Sequence, residues 1–132
     1  MEARTHLDAD PRLCGRPLDL AEGRAQVALD TIDSMVVDGQ GLVHGGFVFG
    51  LADYAAMLAV NDPNVVLGAA ATRFLKPVRQ GDQVIATAEV IEANGKKREV
   101  QVAARVGNRR VFEGTFTCFV LEHHVLEGVG SK

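Results

Sequence analysis

The chain has 132 residues, of which 47% are hydrophobic and 23% charged, and its formal net charge is −3. This length predicts a single domain over residues 1–132 with an ordinary globular composition. The small negative charge argues against bulk attraction to nucleic acid or to an anionic membrane. Because no apolar run is long enough to span a bilayer and residues 1–20 lack the pattern of a signal peptide, we expect a cytoplasmic protein.

Residues 1–43 precede the strongest signal in the chain. Prolines and a glycine interrupt residues 1–20, which predicts a loose or short-helical lead-in. Residues 24–31 alternate between apolar and polar side chains, as a half-buried strand does. Residues 32–43 then form a glycine-bearing connection.

An almost wholly apolar stretch from Gly45 to Val60 predicts the element around which the rest of the chain folds. From Phe47 onward only Asp53 is charged, and a helix that is apolar on every side is a buried helix. A pair of glycines leaves backbone N–H groups accessible at its start, and Pro63 follows its end. With a rise of ~1.5 Å per residue, the helix is roughly 24 Å long.

Short strands separated by turns follow the helix. We predict strands over residues 65–75, 83–93, 97–106 and 110–121. Asn94-Gly95 and Gly107-Asn108 are typical of tight hairpins, and residues 76–82 form a turn around a proline and a glycine. Small residues at 68–71 would let the helix lie close to the sheet, and residues 122–132 are expected to be a frayed tail. This order predicts an α+β domain in which an antiparallel sheet of about five or six strands wraps around one buried helix.

The start and the middle of the helix carry groups suited to catalysis. The N–H groups of Gly45 and Gly46 can stabilise an oxyanion, helped by the helix dipole. Asp53 is a carboxylate among apolar neighbours, and such groups cluster at functional sites. The alternative is purely structural: the glycines allow close packing, and Asp53 faces a buried polar partner.

The spacing of these groups bears on assembly. Gly45 and Asp53 are eight residues apart, or roughly 12 Å along one helix axis, which is more than a single carbonyl can span. If both serve one reaction, they must come from two copies of the helix, packed antiparallel about a two-fold axis. The functional interpretation therefore requires at least a homodimer.

Two segments resemble the signatures of a known family. The run His44-Gly45-Gly46, followed after four residues by Leu51-Ala52-Asp53, resembles the motif of hot-dog-fold acyl-CoA thioesterases of the phenylacetyl-CoA (PaaI-like) type. Phe74–Asp82 resembles the family's next signature, and the similarity runs from about Leu18 to Leu121. The resemblance implies a hot-dog fold, hydrolysis of an acyl-coenzyme A thioester, and a homotetramer built as a dimer of dimers.

The same resemblance implies roles for single residues. Asp53 matches the catalytic acidic residue, which acts in relatives as general base on water or as nucleophile, and the sequence leaves both roles open. Gly45 matches the backbone donor that polarises the thioester carbonyl. His44 either orients substrate or braces the loop, and Gly46 either packs or contacts substrate through its backbone. Thr72 is expected to position water, unless it is an ordinary strand residue.

Asp38 departs from the family pattern, because many relatives carry Asn six residues before the histidine. Asn can donate a hydrogen bond, whereas an ionised Asp only accepts one. Asp38 is therefore either a substrate-binding residue with an altered role or a turn residue beside Gly39.

A basic segment is the candidate site for the phosphates of coenzyme A. Residues 73–110 hold nine Lys or Arg but only four Asp or Glu. Lys76, Arg79, Lys96 and Lys97 fall near turns and can bind phosphate groups. The alternative is a solvated strand face.

We expect neither a metal site nor a cofactor. The distant Cys14 and Cys118 have the spacing of neither a disulfide framework nor a metal site, and Cys118 is expected to be a small buried hydrophobe. His123 and His124 are expected to be tail residues rather than a metal pair. Coenzyme A enters only as part of the substrate.

The sequence thus favours an acyl-CoA thioesterase that hydrolyses its substrate at a dimer interface. A non-catalytic acyl-CoA-binding hot-dog module is one alternative, which an added helix-turn-helix would favour. A hot-dog hydratase or dehydratase is the other. It needs an Asp/His or Glu/His arrangement, and no partner histidine is evident beside Asp53.

Overall fold

Six antiparallel strands form one sheet that wraps around a long helix in the computed structural model, which describes residues 1–130. The helices are α1 (Pro11–Cys14), α2 (Gly45–Val60) and α3 (Val125–Gly130). The strands are β1 (Arg16–Ala21), β2 (Arg24–Asp30), β3 (Val65–Phe74), β4 (Gln83–Asn94), β5 (Lys97–Val106) and β6 (Arg109–Val120). The α+β hot-dog architecture predicted from the sequence is confirmed.

The predicted central helix is confirmed with the same bounds, as α2. His44 caps its first turn, and Asn61 ends it in the left-handed conformation, with a φ of 53°. The buried side chains of α2 are small or apolar: Val48, Leu51, Ala52, Ala55, Ala56, Met57, Leu58 and Ala59. Because each Å² of apolar area removed from water contributes roughly 25 cal/mol, this burial is what holds the helix in place.

The strand order β1-β2-β4-β5-β6-β3 determines which part of the sheet the helix covers. α2 packs mainly over β2, β4 and β5. Val27, Val84 and Val102, one on each of these strands, are completely or almost completely buried. β1 and β3 are left as the two edges of the sheet, so each has one side without a neighbouring strand in this chain.

Part of the predicted loose lead-in is instead a strand. Arg16–Ala21 pairs antiparallel with β2, and Gly23, at a φ of 73°, lies in the tight turn between them. Pro17 does not prevent this pairing, because β1 is an edge strand and its register shifts between Pro17 and Asp19. Pro11–Cys14 is one short helix, as the short-helical expectation allowed.

The predicted frayed tail is also partly ordered. Val125–Gly130 forms α3, and His124 accepts a hydrogen bond from the Leu126 N–H through Nδ1 at 3.0 Å. Residues 131–132 of the predicted tail lie outside the described residues. None of the helices within residues 1–130 is long and apolar enough to cross a membrane.

The small residues at 68–71 do not lie under the helix, as the sequence had suggested. They are exposed, because β3 is at the edge of the sheet and α2 covers the strands nearer the middle. Contact with the neighbouring strand explains the glycine at position 68, because a Cβ there would collide with the ring of Phe119 on β6. The centre of β3 therefore presents a flat edge of small side chains without a charge.

Candidate active site

The start of α2 holds a free backbone donor. His44 Nδ1 accepts a hydrogen bond from the Gly46 N–H at 2.9 Å, and the His44 N–H donates to the Met35 carbonyl at 2.9 Å. The Gly45 N–H donates to no atom within residues 1–130. Of the two amides considered for an oxyanion, that of Gly46 is already occupied by the cap. The amide of Gly45 remains available, and it lies at the positive end of the helix dipole.

The Gly45 residue opens onto a cavity of about 350 Å³, here named the Gly45 cavity. Its walls are mostly apolar and come from the loop before α2, from α2, from the end of β3 and the turn after it, and from β6: Leu42, Val43, Gly45, Val48, Phe74, Leu75, Lys76, Pro77, Val78 and Val111. A Cβ on Gly45 would lie 3.1 Å from Cε2 of Phe74, so a side chain there would press on that ring. Glycine leaves the approach to the N–H open.

Asp53 lines a second cavity, of about 410 Å³, here named the Asp53 cavity. The walls come from the amino-terminal segment, α2, the start of β3 and the segment before α3: Thr5, His6, Asp53, Met57, Pro63, Asn64, Val65, Val66, Leu67, His124 and Val125. The Oδ1 atom of Asp53 is buried and has no hydrogen-bond partner within the described part of the chain. Burial raises the pKa of Asp53, and the opposing influence of a charge on His6 is smaller.

The two cavities share no lining residue within residues 1–130. A single chain therefore does not bring Gly45 and Asp53 to one site, which agrees with their separation along α2. Each cavity holds one part of the predicted catalytic pair.

Asp38 is a turn residue in this structure. Its Oδ1 atom accepts hydrogen bonds from the Gln40 N–H at 2.9 Å and the Leu42 N–H at 3.2 Å. These bonds shape the loop that leads to Leu42, a wall of the Gly45 cavity. Of its two interpretations, the geometry favours the turn.

Thr72 lies opposite Gly114 in the pairing of β3 with β6. A Cβ on Gly114 would lie 2.7 Å from the Thr72 Cγ2 atom, so the threonine methyl occupies the space that glycine leaves. Thr72 lines neither the Gly45 cavity nor the Asp53 cavity of its own chain. Its proposed role towards water stays a prediction.

The four basic residues divide between the two ends of the sheet. Lys76 lines the Gly45 cavity. Arg79 follows in the same turn, and its backbone pairs with that of Leu42 in an isolated antiparallel β-bridge. Lys96 and Lys97 lie in or beside the turn after β4, where they approach Glu122 at 3.9 Å and Glu99 at 4.0 Å. The length of β4 separates the two pairs by roughly 40 Å.

A catalytic thiol is excluded at Cys118. The side chain is fully buried on β6, as predicted. Burial raises the pKa of Cys118 to about 12, helped by the negative charges of Asp53 and Glu99. The group therefore remains a thiol at neutral pH, and the thiolate is the nucleophilic form.

Sequence reasoning missed three residues that line the Asp53 cavity: Thr5, His6 and His124. They belong to segments that were expected to be loose, at the two ends of the chain. No spacing rule connects His6 with a residue in the middle of α2, and only the folded chain brings them to one cavity. Histidines therefore line the same cavity as Asp53, although no sequence pattern indicated them, and neither of them is hydrogen-bonded to Asp53 Oδ1 within residues 1–130.

A six-stranded antiparallel sheet around a helix with these two cavities is the framework of a hot-dog protein. Residues 40–113 match the sequence profile of the thioesterase superfamily, which is more than half of the chain, so the chain belongs to that superfamily. The resemblance predicted from the His-Gly-Gly and Leu-Ala-Asp motif is confirmed.

Particular relatives extend this assignment. The chain is similar to an uncharacterized protein, PH1136, from Pyrococcus horikoshii, with 56% identity and a TM-score of 0.95 over 96% of this chain and 97% of that one. It is 53% identical, over 92% of its length, to the methylthioribose-1-phosphate isomerase of Aquifex aeolicus, but spans only 27% of that relative. It also resembles a mutant of the phenylacetic acid degradation protein PaaI from Thermus thermophilus, with 30% identity and a TM-score of 0.76 over 83% of this chain and 95% of that one.

Proposed function

We propose that this protein hydrolyses an acyl-coenzyme A thioester at a site shared by two copies of the chain. The observation that carries the proposal is the pair of complementary groups on α2: a free Gly45 N–H in one cavity and a partnerless Asp53 carboxylate in the other. A backbone donor can stabilise the oxyanion and a carboxylate can activate water, and the two together are able to hydrolyse a thioester. The membership in the thioesterase superfamily and the similarity to PaaI support the same chemistry.

The edge of the sheet supports a shared site. β3 runs opposite to α2, so the Asp53 cavity is walled by the start of β3 and the Gly45 cavity by its end. If two copies of β3 pair antiparallel about their centre, near Ala69 and Ala70, the start of one strand faces the end of the other. The Asp53 cavity of one chain would then meet the Gly45 cavity of its partner, twice in each dimer.

The chemistry divides between the two chains. The thioester carbonyl oxygen accepts a hydrogen bond from the Gly45 N–H, and the positive end of the helix dipole stabilises the negative charge that develops on it. Asp53 of the other chain acts in its ionised form, either by taking a proton from the attacking water or by attacking the carbonyl itself. The thiolate of coenzyme A then leaves. Where Asp53 itself has attacked, water afterwards hydrolyses the acyl anhydride on Asp53, which releases the free acid and restores the carboxylate.

The antiparallel dimer would also bring the two separated pairs of basic residues towards each other. In the antiparallel dimer, Lys76 and Arg79 beside the Gly45 cavity of one chain approach the end of the sheet that carries Lys96 and Lys97 in the other. The four side chains are exposed, so they are accessible to the phosphates of coenzyme A. Each of the two lysines in the second pair has only a long contact with a carboxylate, which a phosphate can replace.

The test is turnover of a panel of acyl-coenzyme A thioesters, with release of free thiol as the readout. We expect hydrolysis of at least one member, and a kcat lower by ~10²–10⁴ for Asp53→Asn, the usual size of a general-base contribution. The activity of the wild type should rise with pH through the pKa of Asp53, because the ionised carboxylate is the working form. Asp19→Asn, which changes an exposed aspartate on β1, is the matched control.

Three results would contradict the proposal or its mechanism. Tight binding of acyl-coenzyme A without release of thiol would favour the non-catalytic binding module. Addition or loss of water at the acyl chain, with the thioester intact, would favour the hydratase or dehydratase. A folded Asp53→Asn variant that hydrolyses its best substrate at the wild-type rate would remove the carboxylate from the mechanism.

A further inference from the structure

The amino-terminal segment is fixed across the Asp53 cavity. The Arg4 N–H donates a hydrogen bond to Asn61 Oδ1 at 2.7 Å, and Asn61 Nδ2 donates to the Glu2 carbonyl at 2.9 Å. Asn61 is only 8% exposed and ends α2, so the segment is held by the rigid end of the central helix. This contact, rather than chance proximity, brings the next residues over the cavity.

His6 has a conformation that few residues other than glycine adopt. Its φ is 55°, and its Nδ1 atom shares a hydrogen bond of 2.8 Å with Oγ1 of Thr5, a residue only 4% exposed. Left-handed backbone at such a residue has an energetic cost and persists where the surrounding structure enforces it. The backbone conformation and the hydrogen bond together fix the ring at the wall of the Asp53 cavity.

We propose that His6 is a positioning residue for Asp53 and stabilises the ionised carboxylate from its place in the wall of the same cavity. The proposal rests on the proposed function, because it assigns His6 a part in that same site. Both residues line the cavity, although His6 as a whole is exposed to solvent, and the buried Oδ1 atom of Asp53 has no hydrogen-bond partner within residues 1–130.

The electrostatics of the cavity agree with this role. Burial raises the pKa of Asp53 and lowers the pKa of His6, and the attraction between the two charged forms opposes both changes. Burial therefore moves the two pKa values towards each other, and the charge of each group favours the charged form of the other. Other titratable groups also face Asp53: His124 lines the cavity, and Cys14 and Cys118 are neutral thiols whose pKa values are raised by burial and by the Asp53 charge.

The direct test is the proton titration of the histidine rings by NMR in the full-length wild type and in Asp53→Asn. Removing the carboxylate charge should lower the pKa of His6, because the attraction that raises it is lost. The exposed His123 does not line the Asp53 cavity, so its ring signals serve as the internal control for the comparison. An unchanged His6 titration would overturn the proposal, whether or not the protein hydrolyses thioesters.

The kinetic test uses His6→Asn, because asparagine tolerates a positive φ and can keep a hydrogen bond to Thr5. Without the histidine charge the pKa of Asp53 rises, so the acidic limb of the kcat/KM profile should move to higher pH. We expect a several-fold loss at mildly acidic pH and near-wild-type activity at alkaline pH, where His6 is neutral. His123→Asn should leave the profile unchanged.

The outcomes of these experiments distinguish a failure of the His6 role from a failure of the proposed thioesterase function. A uniform loss at every pH would mean that His6 acts only on structure, and an unmoved limb would mean that it does not act on Asp53. Each of these results would overturn the inference while leaving the thioesterase proposal intact. If no acyl-coenzyme A is hydrolysed, the proposed function fails, and the NMR titration alone decides the coupling of His6 and Asp53.

Discussion

Asp53 differs from a carboxylate that serves only the structure. Buried polar groups are nearly always hydrogen-bonded, and buried carboxylates are commonly paired with a cation. Asp53 Oδ1 has neither kind of partner within residues 1–130, and burial raises the pKa of the group. A carboxylate that destabilises the folded chain in this way is expected where its chemistry is needed.

This view predicts that Asp53→Asn increases thermal stability at neutral pH. Because the folded-state pKa of Asp53 is raised, its contribution to stability is fully present below the unfolded-state pKa and is lost as pH rises through the folded-state value. At neutral pH the ionised group therefore destabilises the fold, and the neutral amide removes that charge. The variant should have the higher Tm at neutral pH, with the advantage shrinking under acidic conditions.

Calorimetry across a pH series would check this, with Asp19→Asn as the control for the loss of an exposed negative charge. A lower Tm for Asp53→Asn at neutral pH would mean that the carboxylate is paired in the folded assembly. The search for its partner would then move to the second chain.

The sequence alone was enough to locate the candidate site residues that lie on the central helix or at its start. His44, Gly45 and Asp53 lie within a single motif, and their places at the start and in the middle of α2 follow from helix geometry alone. His6 could not be found in this way, because it reaches Asp53 only through the attachment of the amino-terminal segment to Asn61. A lone histidine in a segment broken by prolines carries no local signal.

At the scale of whole elements, periodicity located the strands well. Each of the five strands predicted from alternation and turns begins and ends within one residue of its observed bounds. β1 was missed because the prolines and the glycine within residues 1–20 suggested irregular chain. The prediction that residues 68–71 lie against the helix was also wrong. Alternation indicates which side chains share a face of the sheet, but not which element covers that face.

The uncovered edge of β3 gives an element-scale prediction. Arg73, near the end of β3, is its only charged residue, so the centre of the strand is uncharged. An edge strand of this kind is a template for pairing with another strand. Ala70→Glu would place two like charges near each other about the two-fold axis of the proposed dimer, which destabilises the pairing. We expect the variant to be monomeric by light scattering and to lose thioester hydrolysis together with the dimer.

Leu18→Glu is the matched control, because it adds the same charge to the exposed face of the other edge strand, β1. That variant should keep the oligomeric state and the activity of the wild type. If Ala70→Glu remains dimeric, the chains associate through another surface. A wild-type protein that is monomeric at working concentration would remove the shared site altogether.

At the scale of the whole molecule, the proposed dimer would explain why a single chain divides its candidate functional groups between two cavities. An isologous interface repeats every contact, so pairing one Gly45 with one Asp53 of the partner pairs the other two as well. The dimer of dimers implied by the family resemblance stays a prediction, because nothing in a single chain distinguishes two copies from four. The shared site needs only the dimer.

Complementation between inactive variants tests this assembly most directly. Asp53→Asn lacks the carboxylate, and Gly45→Val obstructs the N–H, because even a Cβ at this position would lie 3.1 Å from Phe74. When the two variants exchange subunits, each heterodimer has one site with both defects and one intact site. Random exchange should therefore restore about a quarter of the wild-type sites, since about half of the dimers are mixed.

Mass spectrometry would verify the exchange, and the same mixture before exchange is the control. If mixed dimers form but hydrolysis does not return, then Gly45 and Asp53 do not act across the interface, and the reaction must be sought within one chain.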